Sequence, residues 1–151
     1  MCGIVGYIGY DEATPLLLHG LERLEYRGYD SAGIAFYKDN TIKVIKAKGR
    51  LKALADVVGD KKDINSHIGI GHTRWATHGN PSVENAHPQV SENGKFAVVH
   101  NGIIENYIDI KEKLKSNGIK FASDTDTEVI AQLAAFYYDG DFFNTMKKLK
   151  N

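Results

Sequence analysis

The feature that most narrows what this chain can fold into is a pair of alternating apolar runs, residues 32–38 and 41–47, joined by Asp39-Asn40. Two turn-forming residues between strand-like runs make a β-hairpin, and a hairpin that short must pair its strands antiparallel. Other segments supply partners for it. Residues 3–9 alternate Gly with Ile, Val and Tyr and read as a buried strand whose glycines signal close backbone approach or a bulge. Thr14 is placed to cap a helix, Pro15 suits its first position, and Leu17, Leu21 and Leu24 share one face until Gly28. A short helix is expected over residues 51–58, ending at Gly59, and a strand over 68–73. That strand runs into a polar stretch, 74–94, with two of the three prolines and no helical period, the kind of long loop that commonly carries function. Residues 96–100 form an apolar strand that stops at Asn101-Gly102, followed by a helix over 105–117 closed by Gly118. Thr125 and Glu128 are spaced as a capping box for a helix from near Asp126 to about Tyr138, and residues 141–151 look helical. Strands and helices intermix over short connections without regular βαβ units, so the fold class is α+β with mostly antiparallel sheet.

Composition sets the ligand class. Among 151 residues, 42% hydrophobic and a quarter charged describes one globular domain with a core. Nineteen basic side chains cancel nineteen acidic ones, so no long-range field gathers nucleic acid or an anionic membrane, and a small, near-neutral or zwitterionic ligand fits better. No apolar run approaches the ~20 residues of a membrane span, and the start lacks a secretory pattern, so the cytoplasm is the expected compartment.

The single cysteine excludes an internal disulfide or a multi-Cys zinc site, leaving a small hydrophobe, a redox thiol or a nucleophile. Its position weighs on that choice. Met1 precedes a small residue and is the kind of methionine that is trimmed, which gives Cys2 a thiol and a free α-amine of pKa about 7.7–8.0, able to take the thiol's proton near neutral pH. The plainer reading is a small residue at the start of a strand. His100-Asn101-Gly102 offers an amide side chain beside a backbone N–H, as an oxyanion site needs, or else an ordinary Asn-Gly turn. Arg74 and Asp126 suit the α-carboxylate and α-ammonium of an amino acid, while Asp126 is equally explained by a helix's first turn. His72, His78, His87 and His100 match no zinc spacing, and the Gly-rich stretches match no dinucleotide fingerprint, so neither metal nor cofactor is expected.

Taken together, Cys-Gly-Ile-Val-Gly at the N-terminus, Leu-Glu-Tyr-Arg-Gly-Tyr-Asp-Ser-Ala-Gly at 24–33, His-Thr-Arg-Trp-Ala-Thr-His-Gly at 72–79, His-Asn-Gly-Ile-Ile-Glu-Asn at 100–106 and Thr-Asp-Thr-Glu-Val-Ile at 125–130 resemble the N-terminal-nucleophile (class II) glutamine amidotransferases. Within that family the wording is similar to the branch that aminates fructose 6-phosphate rather than the purine-pathway branch. The resemblance implies an αββα sandwich of two antiparallel sheets between helical layers. It makes Cys2 the nucleophile, its α-amine the base, and Asn101 with Gly102 the oxyanion hole. It also gives Arg74 the substrate α-carboxylate, Asp126 the α-ammonium, Trp75, Thr77 and His78 the pocket walls, and Arg27 a place near the catalytic terminus. The implied reaction is hydrolysis of L-glutamine to L-glutamate and ammonia, for amino-sugar synthesis. Another acceptor, such as phosphoribosyl pyrophosphate, or an inactive glutamine-binding module are the alternatives. Residues 1–151 are expected to be the glutaminase domain short of its last strands, with the sugar-phosphate isomerase domain that takes fructose 6-phosphate absent, and an unpaired sheet edge is expected to favour a homo-oligomer.

Overall fold

The computed structural model of the chain describes residues 2–59, 64–76 and 79–150; expectations resting on Met1, Thr77 and His78 lie outside the described residues. Asp39 and Asn40 both take positive φ, 51° and 58°, the left-handed pair that a two-residue hairpin needs. Strand β2 (Ser31–Lys38) accordingly folds back on β3 (Thr41–Lys48). Strand β4 (Ile68–Arg74) pairs antiparallel with the other side of β2, and β1 (Gly3–Ile8) pairs antiparallel with β4. The resulting order is β1-β4-β2-β3.

Period-2 alternation gives this sheet two unlike faces. On one, Ala32, Ile34, Phe36, Ile45 and Ala47 pack with Ala13, Leu17 and Leu21 of α1 (Ala13–Arg23) and Leu51, Leu54 and Val58 of α2 (Leu51–Gly59). Gly69 and Gly71 of β4 lie directly under that helix: a methyl group at Gly71 would stand 3.1 Å from Leu21, and one at Gly69 would stand 2.8 Å from Leu17. They are packing glycines.

The opposite face carries Gly33, Ile70, His72 and Arg74 and meets a second, two-stranded sheet, β5 (Gln89–Val90) with β6 (Ala97–Val98). Helix α4 (Glu128–Tyr137) covers β5 and β6, and α3 (Tyr107–Ser116) and α5 (Phe142–Lys150) pack on α4. The layers therefore run helix, sheet, sheet, helix, the αββα sandwich that the motif resemblance implied.

Local expectations fail where tertiary contacts outbid them. Thr14 does not cap α1: the helix begins at Ala13, whose N–H donates to the Ser66 carbonyl at 2.6 Å, and the buried Thr14 hydroxyl donates to Ile64 O. The same helix stops at Arg23 rather than running to Gly28, and a 3-10 turn, Glu25–Arg27, carries the chain to Gly28 at φ 71°. The capping box does not form either. α4 starts at Glu128, whose carboxylate turns back to accept from the backbone N–H groups of Ala122 and Ser123 and from the Ser123 hydroxyl. Strand β5 lies inside the stretch expected to be loop, and β6 spans two residues of the five expected; runs this short carry no period to read.

Gly33 is what lets the sheets approach. A Cβ there would run into the His87 carbonyl of the second layer, whereas one at Gly6 on β1 meets nothing within 4 Å. Gly33→Ala is expected to destabilise the fold by about 1–3 kcal/mol and Gly6→Ala to stay within about 0.5 kcal/mol of the parent. Thermal unfolding followed by circular dichroism checks both, and equal midpoints for the two variants would show that the sheet contact does not depend on Gly33.

Candidate active site

Antiparallel pairing places Gly3 opposite Thr73, and the Gly3 N–H also donates to Thr73 Oγ1 at 3.0 Å. Cys2, one residue earlier, therefore lies beside the end of β4. Its Sγ accepts from the Trp75 N–H at 3.1 Å and lies 3.7 Å from the Trp75 carbonyl, to which the thiol donates. Ninety-nine residues along the chain, Asn101 closes the other side: its Nδ2 donates to the Cys2 carbonyl at 3.1 Å, and its Oδ1 is 2.7 Å from His72 Nε2. The Asn101 side chain thus bonds across layers and not within its own turn.

Arg74 follows His72 by two residues and so shares its face of β4. It is 4% exposed, and its Nη2 donates to the Gly79 carbonyl at 3.3 Å. Burial pulls the guanidinium pKa down, while Asp30, Cys2 and Asp126 oppose the shift, and an arginine remains cationic at neutral pH. Asp30 steadies the strand end: its N–H donates to the Arg74 carbonyl and its Oδ2 accepts from the Ala76 N–H. Asp126 precedes α4, and its Oδ2 accepts from the Ile104 N–H at 2.8 Å. The carboxylate therefore secures the segment just after Asn101-Gly102, in place of the helix's own N–H groups.

These residues open onto one cavity of about 370 Å³, lined by Cys2, His72, Arg74, Trp75, His87, His100, Asn101, Gly102, Ile103, Thr125, Asp126 and Thr127. Six sequence-predicted residues meet there: Cys2, Arg74, Trp75, Asn101, Gly102 and Asp126. Thr77, His78 and the side chain of Arg27 lie outside what the structure describes. A larger groove of about 900 Å³ opens between the sheets near Ile68, Ile70, Phe96 and Phe142, but no thiol, histidine, arginine or carboxylate lines it, and it offers no comparable chemistry.

Three cavity histidines, 72, 87 and 100, were legible only as an unmatched metal pattern. Among the described residues no group of three His, Cys, Asp or Glu side chains is placed to hold a metal ion. His72 and His87 instead stack, ring centroids 4.4 Å apart at 31°. Burial lowers the His72 pKa to about 4 and that of His87 further still, so both rings are neutral at pH 7. The strand period, with His72 and Arg74 two apart on β4, is the signal that could have placed His72 here.

The arrangement brings a thiol at the head of a strand, an amide donor beside it, a buried guanidinium and a buried carboxylate to one small cavity. That set suits acyl transfer from a zwitterionic amide. A family model described as a glutamine amidotransferase domain matches residues 50–142. The chain is 58% identical over 154 residues to a glutamine–fructose-6-phosphate aminotransferase (isomerizing) of Aquifex aeolicus, covering 99% of this chain and 26% of that protein. It is also 58% identical over 149 residues to one of Caldanaerobacter subterraneus, covering 99% and 24%. The chain thus spans about a quarter of the length of these relatives. Among solved structures, a glutamine phosphoribosylpyrophosphate amidotransferase from B. subtilis in complex with ADP and GMP aligns with a TM-score of 0.81 at 27% identity, over 99% of this chain and 32% of that one.

The buried neutral histidines have a consequence for acid stability. Between the ordinary histidine pKa of 6.5 and the His72 value of about 4, the unfolded chain binds protons that the folded chain refuses. Their contribution is therefore full above pH 6.5 and declines as pH falls, by at most about 1.4 kcal/mol per pH unit for each ring. Urea unfolding at pH 7, 6 and 5 is expected to show this decline, and His87→Leu a shallower one; equal slopes in the two proteins would mean that His87 is not held neutral.

Proposed function

The chain belongs to the glutamine amidotransferase domain family, and on that premise we propose that it hydrolyses L-glutamine to L-glutamate and ammonia through a γ-glutamyl thioester on Cys2. One observation carries the reading. The thiol at the head of β1 shares a 370 Å³ cavity with Asn101, Gly102, Arg74 and Asp126, residues drawn from four separate parts of the chain.

With Met1 removed, the Cys2 α-amine takes the thiol proton and the thiolate attacks the γ-carboxamide carbon. The oxyanion that develops is held by the second N–H of Asn101 Nδ2, whose carboxamide is already bonded on both sides, and by the Gly102 N–H. The ammonium then returns its proton to the departing ammonia, and water activated by the same amine cleaves the thioester. Arg74 holds the substrate α-carboxylate with its forked donors and Asp126 the α-ammonium, while Trp75, Thr77 and His78 wall the pocket and Arg27 stands near the Cys2 terminus. A small cavity with one buried cation and one buried anion favours a zwitterion over a simple amide.

The proposed destination of the ammonia is fructose 6-phosphate, in a protein whose further domain binds that sugar. Identity of 58% to enzymes named for that acceptor, against 27% to the phosphoribosylpyrophosphate amidotransferase, favours it over the purine-pathway alternative. Residues 1–151 would serve as its glutaminase domain, in the cytoplasm. No helix among the described residues is long and apolar enough to cross a membrane.

Glutamate release from L-glutamine, with mass spectrometry on the same sample to confirm a free Cys2 terminus, tests the assignment. Cys2→Ala is expected to abolish turnover. Arg74→Ala is expected to raise KM for glutamine roughly 10- to 100-fold, the loss of hydrogen bonds to a charged group, with a smaller effect on kcat. Turnover that survives Cys2→Ala would end the proposal.

A further inference from the structure

We propose that His72 is a positioning residue that sets which way the Asn101 carboxamide faces, by donating from a neutral ring to Asn101 Oδ1. The inference rests on the glutaminase reading for its kinetic consequence but not for its geometry. A carbonyl oxygen can only accept, so the Cys2 carbonyl, 3.1 Å from the Asn101 amide, must face Nδ2. That fixes Oδ1 on the opposite side, 2.7 Å from His72 Nε2. An amide oxygen also only accepts. The proton on the imidazole must therefore sit on Nε2, which leaves Nδ1 bare.

The surroundings agree with that tautomer. His72 Nδ1 is buried and makes no geometric hydrogen bond among the described residues, and although the His100 backbone favours a further proton on the ring, burial outweighs it. The ring is 0% exposed and stacked on His87, which restrains its rotation. Burial keeps it neutral through the physiological range. The remaining charged and titratable groups facing it are Arg74 on its own strand and His87 and His100 from the second layer, and each disfavours a further positive charge.

An asparagine carboxamide is close to two-fold in shape, so packing alone discriminates weakly between its two orientations. The wrong one would turn Oδ1 toward the Cys2 carbonyl and toward any oxyanion formed there, a repulsive contact in place of a donor. A fixed Nε2–H makes that orientation lose a hydrogen bond as well. His72 thus adds to the Cys2 carbonyl's own preference, so that a donor, and not an acceptor, faces Cys2.

Three measurements test this. The first is independent of turnover: 15N NMR of the imidazoles is expected to show His72 as the neutral Nε2–H tautomer from pH 5 to 8 in the parent, and a mixture of tautomers in Asn101→Ala. A ring protonated on Nδ1 in the parent overturns the proposal whatever the activity. Secondly, His72→Phe, which keeps the stacked ring and deletes the donor, is expected to lower kcat by ~100-fold, the scale of a lost oxyanion donor, with KM for glutamine within about 3-fold. His72→Gln, which restores an N–H, is expected to recover at least about tenfold of that loss. Thirdly, His72→Phe in an Asn101→Ala background is expected to cost little more than Asn101→Ala alone, because the two residues act as one unit. Independent, multiplying losses, or an unchanged kcat in His72→Phe, would refute the positioning role. If the parent released no glutamate the glutaminase reading would fail, while the tautomer result would still decide the role of His72.

Discussion

Antiparallel pairing between β1 and β4, running from Gly3 opposite Thr73 to Ile8 opposite Ile68, is the contact on which the site depends. Cys2 stands at the head of β1, so the pairing brings Trp75 beside its thiol, and Asn101 then closes the other side through the Cys2 carbonyl. The register matters as much as the pairing. With side chains alternating between faces, a slip of one residue would turn His72 and Arg74 from the inner face to the helix face. Packing opposes that slip, because a Cβ at Gly69 would stand 2.8 Å from Leu17 and one at Gly71 3.1 Å from Leu21, so His72 and Arg74 turned to that face would crowd α1.

Many polar groups are buried on the site's side of the main sheet. Beside His72, Arg74, His87 and Asp126, Glu128 and Gln132 of α4 are buried. Burying such groups is costly unless they are bonded, and here the bonds also build the site. Glu128 collects the N–H groups of Ala122 and Ser123, and Gln132 joins Glu128 to the Glu92 N–H and the Lys120 carbonyl, so the segment leading to Asp126 is held from both sides. Asp126 in turn holds the Ile104 N–H, which steadies the loop bearing Asn101 and Gly102. A rigid polar layer of this kind keeps donors in place at the thiol without substrate to arrange them.

Much of the fold was legible because its signals are local. The Asp39-Asn40 turn, the alternation of the strands in the main sheet and the shared face of Leu17 and Leu21 in α1 each concern neighbours within a few residues. The misreadings also share a cause. Thr14 and Glu128 have the right spacing to cap helices, but both are buried, and their side chains bond elsewhere: Thr14 to Ile64, fifty residues away, and Glu128 to Ala122 and Ser123, just before the helix. Strands of two residues, β5 and β6, carry no period at all, and their pairing comes from the layer they lie against.

The amino-acid sequence alone determined most of the secondary elements, the antiparallel character of the main sheet, and, through five ordered motifs, the family and six of the residues that meet in the cavity. Tertiary structure decided what those residues do to one another. His72 was one histidine among several until β4 put it on the same face as Arg74 and the second layer brought Asn101 to its Nε2. Asp126 suited a helix's first turn equally well by sequence, whereas in the fold its Oδ2 bonds the Ile104 N–H. The reason is that periodicity records which face a side chain takes, whereas a hydrogen bond between residues 2 and 101 depends on how whole layers stack, and no local pattern encodes that.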